Sequence, residues 1–244
     1  MRKTNRLILA LLALLAVVLR VLQNRTGYDE LGLAKSGNLP GILLPVVLAA
    51  AALWFGFLSI TMLAERDPAV SPAMYFLFSE EKAATALSVT GAFLILLGGA
   101  LSLPGDTSRG NLLAAAFVFV SAACVLCAVF ALVRLREISG VVLLVPVCAL
   151  VVHLIFLYRA DASDPVLARI YIELLAVAAL TLSALERAAI FFRSGLPRAW
   201  PSVCAMSVIL GLTAAADFAS PAHAALFAGF ALVEAGFLCA TGFV

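Results

Sequence analysis

Apolar residues recur along the chain in about eight long stretches that short polar segments separate. A helix needs about 20 mostly apolar residues to cross the ~30 Å hydrocarbon layer of a bilayer, where every backbone amide must pair within the protein. The pattern therefore predicts an all-α fold, a polytopic α-helical membrane protein with about eight transmembrane helices. The predicted spans are Leu7–Leu22, Leu39–Leu63, Ala83–Leu103, Asn111–Val133, Gly140–Leu157, Val166–Glu186, Pro201–Ala216 and Ala222–Val244.

The composition leads to the same class of protein. The chain is 64% hydrophobic and 12% charged, whereas a soluble domain is roughly half apolar and about a quarter charged. A globular cytoplasmic enzyme and a disordered chain are therefore excluded. The net charge is only +2, without the basic stripe that tracks a phosphate backbone, so we expect no nucleic-acid partner. We expect a single transmembrane domain over residues 1–244, with the lipid bilayer as its surroundings.

The first apolar stretch follows a basic N-terminus, as it does in a secretory signal peptide. The stretch ends in Arg20-Val-Leu-Gln-Asn24, without the small-x-small site at which a signal peptide is cleaved. We therefore favour a retained membrane anchor over a cleaved signal.

The positions of lysine and arginine predict how the helices are oriented, because short loops with positive charge tend to stay cytoplasmic. With an even number of spans and both termini cytoplasmic, the inner face receives Arg2, Lys3, Arg6, Arg66, Lys82, Arg134, Arg136, Arg187, Arg193 and Arg198. The outer face receives Arg20, Arg25, Lys35, Arg109, Arg159 and Arg169. Long basic side chains near helix ends can reach lipid headgroups. The bias favours cytoplasmic termini and is modest.

Two connections are longer than the others. Asn24–Asn38 is polar and would form a small outer cap between the first two spans. Glu65–Lys82 contains a short apolar run that suits an interfacial or re-entrant element.

Small residues repeat at helical spacing on two of the predicted spans, where they let neighbouring helix backbones approach closely. They are Gly91 and Gly98 on the third span and Ala225, Gly229, Gly236 and Ala240 on the last. We favour packing within the chain over a dedicated dimer face.

Glu234 is the ionisable residue that lies deepest in the predicted membrane. Counting at 1.5 Å per residue from Ala222 puts it roughly 18 Å along the last span, near the bilayer centre. Ionisable side chains at that depth are costly and mark functional sites. Glu234 is therefore a candidate proton-binding or cation-binding carboxyl; the alternative is a neutral glutamic acid that is hydrogen-bonded between helices.

His153, Arg169 and Glu173 form a second candidate site in the outer half of the fifth and sixth spans. A short loop makes these two spans antiparallel neighbours, and residues 169 and 173 share one helical face, so their side chains can pair. A histidine beside them titrates near physiological pH. The three residues could line an outward-open solute site; the alternative is a structural ion pair next to a packed histidine.

Other charged residues are interpreted as features of helix ends. Arg187 is expected to anchor the sixth span at the cytoplasmic interface. Asp217 and His223, which flank Ser220-Pro221, are expected to belong to a helix stop and a helix start.

The chain lacks the sequence motifs of phosphate-binding loops, zinc proteases and serine hydrolases. Its five cysteines lie inside apolar stretches, where thiols act as small hydrophobes. We therefore expect no catalytic residues, no metal site and no cofactor, and we expect that the chain is not an enzyme.

The leading functional hypothesis is a small-solute transporter, or the membrane subunit of one, in a bacterial cell membrane. Glu234, Glu173, Arg169 and His153 would bind the substrate or a proton. The alternative is a non-catalytic membrane scaffold or assembly partner with structural intramembrane charges. A membrane-protein partner or a second copy of the chain is compatible with either.

Overall fold

The computed structural model describes residues 2–28, 35, 37–64, 82–102, 140–161, 167–192, 199–217 and 220–240. These ranges contain seven helices: α1 (Arg2–Thr26), α2 (Leu39–Ala64), α3 (Lys82–Ser102), α4 (Gly140–Asp161), α5 (Leu167–Phe192), α6 (Trp200–Ala215) and α7 (Pro221–Ala240). The predicted all-α fold is confirmed over these ranges. The predicted span Asn111–Val133, Cys124, Cys127 and the segment at 65–81 lie outside the described residues.

Four helices are long and apolar enough to cross a membrane. They are Thr4–Thr26, Leu39–Thr61, Lys82–Leu101 and Pro221–Ala240. Two shorter apolar segments, Leu143–Tyr158 and Trp200–Ala215, also lie in helices. The chain thus has the helices of a membrane-embedded protein.

Polar side chains mark the starts of two helices. The Asn38 side-chain oxygen accepts a hydrogen bond from the Gly41 amide at 3.0 Å, and the Ser220 hydroxyl accepts one from the His223 amide at 3.1 Å. Both satisfy amides that have no partner within the first turn of a helix. The helix start predicted at Ser220-Pro221 is confirmed.

Helix α6 lies at the centre of the described bundle and packs against α1, α2, α5 and α7. Helix α3 lies along α7, and α4 lies along α5. The core is mostly aliphatic, and its large aromatic members are Phe55, Trp200, Phe227, Phe230 and Phe237. Helix α7 therefore lies between α3 and α6.

The contact between α3 and α7 is close because glycines face each other across it. A Cβ added at Gly91 would meet the Gly229 carbonyl oxygen at 2.6 Å, and one at Gly229 would meet the Gly91 oxygen at 2.7 Å. A Cβ at Gly236 would overlap the Ser88 hydroxyl. The contacts run antiparallel, and the expected packing of these glycines within the chain is confirmed.

Contacts between helix termini define one end of the bundle. Arg20 of α1 bonds Asp217 after α6, and Glu173 of α5 bonds His223 of α7. We call the end that contains these contacts, together with the start of α2, the polar end. Helix α4 finishes there, since His153 stacks edge-on against Phe227, and α3 finishes there, since Gly98 contacts Ala222.

Large apolar side chains cover the outer surfaces of α1 and α2. On α2 they include Leu53, Phe57 and Ile60, all exposed. A soluble monomer rarely exposes a continuous apolar surface of this kind. Acyl chains would cover it in a bilayer.

Gly91→Ala tests the α3–α7 contact. We expect a loss of about 1–3 kcal/mol in the free energy of unfolding, because the added methyl overlaps backbone rather than a flexible side chain. The measurement is unfolding of the purified protein by SDS titration. Gly56→Ala on α2 is the control: nothing lies within 4 Å of its added Cβ, so this variant should be neutral or slightly more stable. Equal losses in the two variants would contradict the packing.

Candidate functional site

Glu234 lies on α7 and faces α5 and α6. Its Oε1 atom accepts a hydrogen bond from Nη1 of Arg187 at 2.5 Å. Its Oε2 atom accepts one from the Ser183 hydroxyl at 2.7 Å, and the Cys204 sulfur lies 3.4 Å from the same oxygen. Both oxygens of this carboxylate therefore have partners on other helices.

Arg187 is as deeply buried as its partner. The residue is 1% exposed, and Glu234 is 2% exposed. Its guanidinium also lies 4.4 Å from the centre of the Phe237 ring, a cation–π contact. The expectation that Arg187 anchors α5 at a membrane interface is wrong: it is enclosed by protein, where a carboxylate and an aromatic face replace its water.

The pair places the Glu234 carboxyl directly against a cation. An arginine guanidinium stays protonated in proteins, and a buried charge is tolerated when it is paired and hydrogen-bonded. The interhelical contacts of Glu234 are confirmed, and its charge state stays a prediction.

The predicted end of the sixth span explains why Arg187 was expected elsewhere. That span was predicted to end at Glu186, whereas α5 continues to Phe192, so Arg187 lies more than one turn before the end of the helix. The distance along the helix axis between Glu173 and Arg187 of α5 is about 21 Å, and that between His223 and Glu234 of α7 is about 16 Å. The long arginine side chain bridges the remaining difference.

Glu173 has His223 as its partner at the polar end. Nε2 of His223 lies 2.5 Å from Oε1 of Glu173. The His223 ring stacks on Phe227 with 4.5 Å between centroids, and His153 lies 6.1 Å from the same ring. His153 is also within electrostatic range of Glu173 and His223. His153 and Glu173 were predicted to be neighbours, and they lie around one phenylalanine.

A small cavity of about 20 Å³ borders His153, Phe227 and Phe230, with the other lining residues aliphatic or alanine. A volume of this size holds about one water molecule. Pockets that bind organic ligands are roughly 300–1,000 Å³. The cavity is therefore too small for an organic solute.

Arg20 and Asp217 form a second ion pair, between α1 and the end of α6. Nε of Arg20 bonds Oδ1 of Asp217, and Nη2 bonds Oδ2 at 3.0 Å, which is the bidentate geometry of arginine and carboxylate. Asn24 donates to Oδ1 at 2.9 Å, and Gln23 accepts from Nη1 of Arg20 at 3.0 Å. Arg20 is fully buried, so its side chain faces protein groups rather than lipid headgroups.

Asp217 and His223 have partners that the sequence did not indicate. Both were expected to belong only to a helix stop and start, and Ser220 provides the cap between them. Their side chains instead bind Arg20 and Glu173, which are far away in sequence. The excess of charged residues within apolar stretches was the available signal, because each such charge requires a partner of opposite sign.

Of the predicted site residues, His153 and Glu173 come together and Glu234 lies separately, deeper along α7. Arg169 belongs to α5, but its side chain lies outside the described residues, so its pairing with Glu173 stays a prediction. In the part of the chain that the structure describes, no group of three or more His, Cys, Asp or Glu residues could hold a metal ion.

Comparison with known protein-family models, curated proteins and solved structures found no match to the chain.

Asp217→Ala tests the pair at the polar end. It leaves the Arg20 guanidinium buried without a counter-charge, so we expect a loss of about 3 kcal/mol or more in the free energy of unfolding. Asn24→Ala is the matched control. It removes one amide donor to the same carboxylate, and we expect a loss of about 1 kcal/mol. The measurement is SDS-titrated unfolding, and equal losses would show that the charge on Asp217 is irrelevant.

Proposed function

We propose that the chain is a multi-pass membrane protein of a bacterial-type cell membrane, and that it is a non-catalytic scaffold or assembly partner. The observation that carries this proposal is the closed contact around Glu234, in which both carboxylate oxygens bind groups of α5 and α6. A carboxyl that must take up and release a proton or solute needs access to water. A carboxylate in an enclosed ion pair is suited to holding helices in a fixed arrangement.

An eighth crossing is part of the proposed topology. Helix α3 finishes at the polar end, and α4 starts at the opposite end and finishes at the polar end. In the proposed topology the chain would return across the bundle between Ser102 and Gly140. The predicted span Asn111–Val133 is apolar and about long enough for this crossing, which supports the count of eight.

The helix directions also support termini on one side. Helix α1 starts and α7 finishes at the end opposite the polar end. More lysine and arginine residues belong to that side in the proposed topology, and the positive-inside tendency makes it cytoplasmic. The polar end then faces outward.

A small-solute transporter is the second candidate, and the cluster of His153, Glu173 and His223 is the observation that favours it. Both histidines contact the Phe227 ring, Glu173 bonds His223, and His153 lines the cavity of about 20 Å³. A histidine and a carboxylate in contact can exchange a proton with water. The transported species at this point would be a proton, with any larger solute bound elsewhere.

Glu234→Gln tests the scaffold proposal at the ion pair that carries it. Glutamine has the shape of a protonated glutamic acid, so a Glu234 that is neutral in the folded protein would lose little stability on this change. In the scaffold proposal the change leaves Arg187 buried without a counter-charge, and we expect a loss of about 3–5 kcal/mol in the free energy of unfolding. Reversible SDS titration in mixed micelles measures it.

Ser183→Ala is the control for this experiment, because it removes a neutral hydrogen bond to the same carboxylate. We expect it to lower the free energy of unfolding by about 1 kcal/mol. Unchanged stability of Glu234→Gln would contradict the structural role of the pair and with it the scaffold proposal.

A further inference from the structure

An open pocket of about 440 Å³ lies at the polar end, between α1, α2 and α5. Gln23, Lys35, Asn38, Ile42, Pro45 and Tyr171 line it, with Gly37 and Gly41 completing the wall on the α2 side. This volume lies within the range of pockets that bind small ligands. It is separate from the cavity beside His153.

The turn before α2 gives the pocket a fixed wall. The Lys35 amide donates to the Gly27 carbonyl at 2.9 Å, and the Asn38 amide donates to the Lys35 carbonyl at 3.2 Å. Gly37 between them has a φ of +84°, a left-handed conformation that glycine adopts without strain. The Asn38 side chain also bonds the Gly27 carbonyl at 3.2 Å. Lys35 is thus presented from a braced turn.

The charges around the pocket favour an anion. None of the described residues that line it is acidic, and the neighbouring Asp217 is neutralised by Arg20. Lys35 supplies a full positive charge, whereas the Gly41 and Ile42 amides at the start of α2 are already bonded to Asn38. Tyr171 supplies a further polar group to the lining.

One wall of the pocket continues into the apolar surface of the bundle. Ile42 is 60% exposed and lies in the lining, and Val46, one turn further along α2, is 59% exposed. The exposed apolar face of α2 extends from there toward the opposite end. A ligand with an anionic group in the pocket would therefore have its apolar part lying along α2.

We propose that this pocket binds the phosphate headgroup of an anionic phospholipid in the outer leaflet, with an acyl chain along the exposed face of α2. A free phosphate would use the same cation and polar groups. The lipid is the occupant that also uses Ile42 and Val46. The proposal uses the bilayer surroundings of the chain and is independent of whether it is a scaffold or a transporter.

Native mass spectrometry of the detergent-solubilised full chain tests this assignment, with titration of phosphatidylglycerol and, separately, of phosphatidylcholine. We expect tighter binding of phosphatidylglycerol. Lys35→Gln should weaken that binding by about fivefold, the effect of one lysine near a charged membrane surface. Lys82→Gln is the matched control, because Lys82 is exposed at the start of α3, at the end opposite the pocket, and it should bind as the wild type does.

Two further measurements decide between occupants. Val46→Gln should weaken binding of phosphatidylglycerol and leave any binding of inorganic phosphate unchanged. Displacement of the lipid by millimolar inorganic phosphate would overturn the assignment to a lipid. Equal binding of the two phospholipids, or unchanged phosphatidylglycerol binding by Lys35→Gln, would overturn the site itself. Far-UV circular dichroism and size-exclusion chromatography check that each variant is folded.

Discussion

A charge that is moved from water into a protein interior or a lipid core must be compensated there by hydrogen bonds and an opposite charge. Arg187 and Glu234 meet this constraint by pairing with each other. The pair joins α5 to α7 at one fixed register, because a slip of either helix would separate the two groups. Phe237, Ser183 and Cys204 complete the enclosure. The close packing of α3 on α7 then places a third helix relative to this pair.

The same constraint operates at the polar end. Arg20 and Asp217 tie α1 to the end of α6, and Glu173 and His223 tie α5 to the start of α7. These contacts join helices that are distant in sequence, whereas the apolar packing between them is less specific in register. The polar contacts thus specify which helices are neighbours, and the small residues set how closely they approach. An arrangement of this kind is suited to a rigid membrane platform.

The sequence was sufficient for the class of fold, the positions of the described helices and the packing role of Gly91, Gly98, Gly229 and Gly236. Hydrophobic length and small-residue spacing are local properties, and they can be found without knowing which helices are neighbours. The partners of Glu234, Arg20 and Asp217 were missed, because pairing across the bundle depends on relative depth. The sixth span was expected to end at Glu186, but α5 continues to Phe192, so Arg187 lies inside the helix beside the Glu234 carboxylate instead of at the expected interface.

The coupling energy between residues 187 and 234 tests the central claim most directly. A double-mutant cycle with Arg187→Met, Glu234→Leu and the combined variant, followed by SDS-titrated unfolding, isolates the interaction from the loss of each side chain. Each single change leaves a buried charge unpaired, and the combined change leaves none. The loss in the free energy of unfolding of the combined variant should therefore be smaller than the sum of the two single losses, by about 2 kcal/mol or more. Additive losses would contradict the view that this ion pair fixes the arrangement of the helices.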